Sequence, residues 1–144
     1  MSLNRLSRRV IASVTIGGEV SPRVELAPAA TDLLDRLWAM HGPLMFHQSG
    51  GCCDGSSPMC YPAGEFLTSD ADVLLGELDL GPGPGGPGAD ASPRVVPFWM
   101  SAEQFAYWRH TYLIVDVVPG RGSGFSVEAP EGVRFLIRSR LMDA

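Results

Sequence analysis

The chain has 144 residues, 45% of them hydrophobic and 19% charged, with 11 Lys and Arg against 16 Asp and Glu. That length allows one domain with a real hydrophobic core and is too short for two. A formal charge of −5 argues against nonspecific nucleic-acid binding, which needs a basic footprint. Apolar runs such as Leu113-Ile-Val fall far below the roughly 20 residues that span a bilayer, so no membrane contact is expected.

Residues 1–22 carry no strong period and are expected to form a loose extension, or at most one added strand. Basic residues precede a short apolar patch there, but Thr15 and Gly17-Gly18 break it and no convincing cleavage site follows, so no signal peptide is expected. Residues 23–144 then read as a single α+β domain. Pro28 opens a helix in which Ala30, Leu33, Leu34, Leu37, Trp38 and His41 recur at helical spacing, and Gly42-Pro43 ends it. Leu44-Met-Phe-His47 reads as a short buried strand running into a Gly/Ser loop, and Tyr61-Pro-Ala-Gly-Glu-Phe-Leu continues after that loop. Asp72–Leu80 gives another strand or strand pair. The Gly/Pro-rich segment 81–93 reads as a mobile surface insertion within the domain.

Val95–Met100 returns to strand. Ser101 is placed to cap a short helix, with Gln104 completing an S-x-x-Q capping box. Leu113–Val118, Phe125–Glu128 and Val133–Arg138, separated by Gly/Pro turns, predict three closing strands. Asp116 interrupts an apolar strand and needs a partner if buried, with Arg121 or Arg138 as the candidates. Two short helices among about seven strands describe a small α+β domain built on a largely antiparallel β-sheet or a barrel-like arrangement.

The chemistry concentrates in His47-Gln-Ser-Gly-Gly-Cys52-Cys53-Asp54-Gly-Ser-Ser-Pro-Met-Cys60, which holds all three cysteines. An odd, clustered set fits poorly with a secreted disulfide framework, so a reducing cytoplasm is the expected compartment. A thiolate is a soft ligand for iron, zinc or copper, and a histidine nitrogen complements it. Cys52 and Cys53 point to opposite faces in extended chain, so one of them pairs more easily with Cys60. The expected ligand set is therefore Cys52, Cys53 and Cys60 with His47 or His110. Iron or zinc is the first choice of metal, with an iron–sulfur cluster as a further option. Such a site can be completed across a two-fold axis, which admits a homodimer.

The same atoms support a thiol-redox reading, because successive N–H groups in Gly-Gly-Cys-Cys can lower a thiol pKa. The plain alternative is a tight turn whose cysteines fill space. His41 and His110 each end a helix, where a histidine interacts with exposed carbonyls. Asp54 suits an Asx-type turn contact or the orientation of a ligand. Met45, Met59 and Met100 near the loop suit copper, with packing as their default. No Ser-His-Asp order, P-loop, G-x-G-x-x-G or H-E-x-x-H occurs, so a non-catalytic role is favoured over an enzyme.

Leu44–Pro62, Gln104-Phe-Ala-Tyr-Trp-Arg-His110 and Val118–Leu136 strongly resemble a bacterial family catalogued as domain of unknown function 779. The resemblance covers roughly residues 24–142. Its members are described as acetaldehyde dehydrogenase associated, which implies a partner aldehyde or alcohol dehydrogenase. The order helix, strand, Ser-Gly-Gly-Cys, Ile-Val-Asp-Val-Val and Gly-Phe-Ser-Val-Glu-Ala-Pro is also similar to the A-type iron–sulfur carriers of the HesB-like fold. Those carriers place two further cysteines in a C-terminal C-G-C, and residues 131–144 contain no cysteine. Together these readings lead to an accessory metal-binding protein serving a dehydrogenase. The alternatives are a thiol protein handling disulfides or aldehydes, and a pure interaction module.

Overall fold

Every strand must find partners for its backbone N–H and C=O groups, and here the strands do so in two separate sheets. The computed structural model describes residues 8–48, 56–64, 68–81, 93–120 and 126–142. In chain order the elements are β1 (Val10–Ile11), β2 (Val24–Leu26), α1 (Pro28–His41), β3 (Leu44–Gln48) and β4 (Met59–Pro62). Then come β5 (Asp72–Asp79), β6 (Val95–Ser101), α2 (Ala102–Trp108), β7 (Thr111–Pro119), a 3-10 turn at Ala129–Glu131, and β8 (Val133–Leu141).

The first sheet has the order β1-β2-β7-β8 and the second β4-β3-β6-β5. Each has a parallel pair at its centre, β2 with β7 and β3 with β6, flanked by antiparallel neighbours. The α+β class holds, and four of the six strand pairs among the described residues are antiparallel, but the single sheet or barrel-like arrangement is corrected to two mixed sheets, with no closed barrel among the described residues. The cause is long-range pairing. A parallel pair needs a long crossover connection, and both central pairs join strands far apart in sequence, which turn signals between neighbouring segments cannot reveal.

The two sheets meet through their aromatic residues. The fully buried Phe46 ring lies 5.4 Å from Phe98 within its own sheet and 4.9 Å, edge-on, from Phe135 of the other. Helix α1 carries the chain from the first sheet to the second. It buries Ala30, Thr31, Leu33, Leu34 and Leu37 and packs against β2 and β7. Each buried leucine contributes about 1.5–3 kcal/mol. Pro28 starts the helix with φ already set, and Gly42, at φ +80°, ends it by donating its N–H to the Trp38 carbonyl at 2.7 Å.

The segment after β1 ties the sheets together along the outer edge of β5. Ser13 N–H donates to the Glu77 carbonyl at 3.0 Å, and the Thr15 hydroxyl donates to the Leu74 carbonyl at 2.6 Å. Gly76 makes this approach possible: a Cβ there would stand 2.7 Å from Ala12 Cβ and 2.9 Å from Ser13 O. Covering an edge in this way also removes a template for aggregation.

Other expectations need correction. Within Phe125–Glu128, read as a strand, residues 126–128 form a turn leading into the 3-10 segment, and Phe125 lies outside the described residues. Ser126 and Glu128 direct their side chains to backbone N–H groups of neighbouring strands, and Pro130 stops a ladder from extending. At α2 the Ser101 hydroxyl accepts the Gln104 N–H at 3.2 Å, as expected. The reciprocal half of the capping box is missing, because Gln104 Oε1 has no hydrogen-bond partner among the described residues. Asp116 pairs with Arg138 at 2.9 Å. No helix among the described residues is long and apolar enough to cross a membrane.

Candidate functional site

Strand β3 is buried at all five positions, so both of its faces are covered. Alternation along a strand sends Phe46 and His47 to opposite faces, and the pairing register extends the division across the sheet. Phe46 stands opposite Cys60 on β4 and Phe98 on β6, on the face toward the core. His47 stands opposite Met59 and Trp99, on the face turned away from it. Leu74 pairs with Trp99 and Asp72 with Ser101, so Asp72 shares the His47 face. A register shift between Leu74 and Gly76 confines this parity to the first part of β5.

His47 and Asp72 meet diagonally across β6. His47 Nε2 is 2.7 Å from Asp72 Oδ1, and their side chains are only 3% and 10% exposed. Burial raises the Asp72 pKa. The His47 hydrogen bond, the Ser69 N–H on Oδ2 at 2.9 Å and the nearby imidazole outweigh that, leaving it below the usual carboxylate value. An ionised carboxylate accepts only, so the His47 Nε2–H is the donor in this contact. The result is an imidazole held in a set direction near the end of the strand that enters the cysteine loop.

Beyond Gln48 the chain passes out of the described residues, and Cys52 and Cys53 lie among 49–55, outside them. Where it returns, the Ser56 carbonyl accepts the Ile137 N–H at 2.7 Å and Ser57 Oγ accepts from Arg134 at 2.6 Å. The loop therefore starts on the second sheet and ends against β8 of the first.

Cys60 sits elsewhere. It is fully buried among core residues on the Phe46 face, and burial, helped by the Glu128 charge, pushes its thiol well above the ordinary range. Its N–H donates to Ser126 Oγ at 2.9 Å, and the Ser126 hydroxyl donates in turn to Glu128 Oε1. Glu128 is buried as well, and desolvation raises its pKa despite the Ser126 and Phe135 hydrogen bonds. The structure thus does not bring Cys60 and His47 together. His110 is exposed beyond α2, and its carbonyl accepts the Met142 N–H. Among the described residues no group of three or more His, Cys, Asp or Glu side chains is arranged to hold a metal ion.

Asp72 is the site residue that sequence reasoning missed. Its faint signal is an acidic residue heading the apolar run Val73-Leu-Leu75.

No curated protein matches the chain, and no solved structure does. Residues 33–141 match the model described as Domain of unknown function (DUF779), and the chain belongs to that family.

Proposed function

We propose that this protein is a non-catalytic accessory protein that binds a thiophilic metal ion through His47 and one or both of Cys52 and Cys53, with Asp72 orienting the imidazole. One observation carries the reading: the part-buried contact at 2.7 Å between His47 Nε2 and Asp72 Oδ1. Metal-ligating histidines commonly donate their second ring N–H to a carboxylate, which fixes the tautomer and raises ligand basicity. The donor chemistry fits iron or zinc at a thiolate and imidazole site. It fits a cluster bridged by three cysteines poorly, because a thiolate at Cys60 would be an unpaired charge in the core. The role served is metal delivery, maturation or protection for an aldehyde or alcohol dehydrogenase, a partnership that rests on family resemblance alone.

The dyad also favours a second reading, in which His47, held by Asp72, draws a proton from a thiol of the loop and makes it nucleophilic. Elemental analysis and an absorption spectrum of anaerobically purified, untagged protein decide between them. We expect about one equivalent of metal, kept by Cys60→Ser and lost in the Cys52→Ser/Cys53→Ser double variant. Below about 0.1 equivalent in wild type, or full retention in the double variant, the reading is wrong. Rapid alkylation of metal-free Cys52 or Cys53 that slows in Asp72→Asn would support the thiol reading instead.

A further inference from the structure

The register of the first sheet divides its side chains between two faces of different character. Leu26, Leu113, Val115, Phe135 and Ile137 alternate onto one face and belong to the core. On the opposite face Tyr112 and Leu136 are buried yet stand outside the core cluster. There Ile11 lies opposite Glu25, Glu25 opposite Ile114, Ile114 opposite Arg138, and Tyr112 opposite Arg140. Arg9, two residues before Ile11, pairs with Glu25 at 3.3 Å, and Arg138 pairs with Asp116 at 2.9 Å. Arg140 instead lays its guanidinium over the Tyr112 ring, 4.4 Å from the centroid, with no ion pair among the described residues. Arg134, opposite Val118, is engaged by Ser57. The face is open to solvent: the Arg9 and Arg138 side chains are 58% and 50% exposed, Ile11 is 51% exposed, and Arg140 is exposed as well. Four guanidiniums thus share it with two carboxylates, on a chain whose net charge is −5.

We propose that this face docks an extended acidic segment of a partner protein, with Arg138 and Arg140 as anchors and Ile11, Ile114 and Leu136 as an apolar floor. The proposal gives an accessory protein a surface for its partner, but it shares no residue with the metal reading and stands without it. Charge complementarity is the first argument: positive groups outnumber negative ones on this face alone, against the sign of the whole chain. Spacing is the second. Alternate residues of an antiparallel strand stand about 6.8 Å apart, so Arg138 and Arg140 present their charges at the repeat on which alternate side chains of another extended chain fall. A guanidinium takes a carboxylate through N–H groups that lie in its plane and stacks on an aromatic ring through its face. Stacking on Tyr112 therefore restrains Arg140 and leaves its donors for a carboxylate. A nucleic-acid strand suits the face less well, because it brings a phosphate at every step to arginines interspersed with Glu25 and Asp116. A second copy on a two-fold axis would set the same arginines against each other.

The test is calorimetric titration of the intact protein at low salt with a peptide in which glutamate alternates with threonine over about ten residues. Its glutamine-for-glutamate counterpart serves as the uncharged control. We expect the glutamate peptide to bind with a Kd below about 1 mM, the glutamine peptide not to bind, and about 0.5 M salt to abolish the complex. Arg138→Gln/Arg140→Gln should weaken it by at least about tenfold, whereas Arg36→Gln, at an exposed position on α1, should leave it unchanged. Arg138→Glu/Arg140→Glu should lose the glutamate peptide and take up a lysine counterpart, a gain that misfolding cannot produce. A glutamate peptide that does not bind below about 1 mM, or that binds wild type and Arg138→Gln/Arg140→Gln equally, overturns the proposal. So does an oligothymidylate that binds more tightly than the peptide through the same arginines, or a dimer that forms with concentration and is abolished by Arg138→Gln/Arg140→Gln. None of these readouts involves a metal, so failure here leaves the metal reading standing, and failure of that reading leaves this face untouched.

Discussion

Replacing Asp72 by alanine tests the pair on which the site depends, and the structure sets the size of the effect. Asp72 accepts two hydrogen bonds, from His47 Nε2 and from the Ser69 N–H. Their losses are unequal. Ser69 is exposed, so water replaces the carboxylate there at little cost. The His47 side chain is 3% exposed, so its N–H loses a charge-assisted bond with no water to take over, at about 1.5–3 kcal/mol. Removing the imidazole as well cancels most of that penalty, so Asp72→Ala in a His47→Phe background should cost less than about 0.5 kcal/mol. The measurement is urea unfolding of the four proteins at neutral pH, with m-values checked for equality. The pH dependence has a definite sign. The folded pKa of Asp72 lies below its ordinary 3.8, so its contribution is present above that value and disappears as pH falls through the lower, folded pKa. A coupling energy below about 0.5 kcal/mol would mean that the contact is incidental and that Asp72 does not hold the imidazole.

Gly76→Ala should destabilise by about 1–3 kcal/mol through overpacking, because the new methyl meets Ala12 Cβ at 2.7 Å and the Ser13 carbonyl at 2.9 Å. Ala12→Gly should restore only part of it, since the carbonyl remains, and full rescue in denaturant melts would contradict the geometry. Glu128→Gln should flatten the pH dependence of stability on the alkaline side of pH 4.5. Desolvation holds the folded carboxyl above that ordinary value, so wild-type stability declines as pH rises from 4.5 through the folded pKa. Gln keeps an acceptor for the Ser126 hydroxyl and loses only the long 3.4 Å contact with the Phe135 N–H. Identical pH profiles for the two proteins would show that Glu128 is not a proton-holding group.

Helix α1 was legible because three local signals agree: Leu33, Leu34 and Leu37 at helical spacing, Pro28 at the start and Gly42 at the end. The β7–β8 ladder was nearly so, from apolar runs on either side of a Gly/Pro turn. Strand β2 was invisible. Its three residues gain meaning only from parallel pairing with Leu113–Val115, nearly ninety residues away. The site divides in the same way. His47 was legible because it abuts the cysteine loop. Its partner was not, because β6 stands between β3 and β5 and no local pattern announces that Asp72 reaches past it. Closeness of Cys60 to Cys52 and Cys53 along the chain says nothing of the face on which Cys60 projects. That depends on whether residue 60 or residue 59 opposes His47, and the register chooses 59.

The buried Glu128 and the half-buried Asp72 compete as markers of function, and their partners separate them. Glu128 directs its oxygens to the Ser126 hydroxyl and the Phe135 N–H, and with Ser126 also holding the Cys60 N–H it secures a turn between the two sheets. That is a structural task, done with backbone partners. Asp72 directs one oxygen to Ser69 and the other to a side chain two strands away, on a face where Met45, Leu74 and Trp99 supply apolar cover. An imidazole–carboxylate pair in such a place yields little net stability compared with apolar residues of similar volume, because desolvation offsets most of the attraction. The fold has no need of this pair to hold β3 between β4 and β6, since the ladder and Phe46 already do so. What the pair provides that an apolar substitute would not is an imidazole held in one direction at the root of the cysteine loop, and that is the feature the proposed metal site requires.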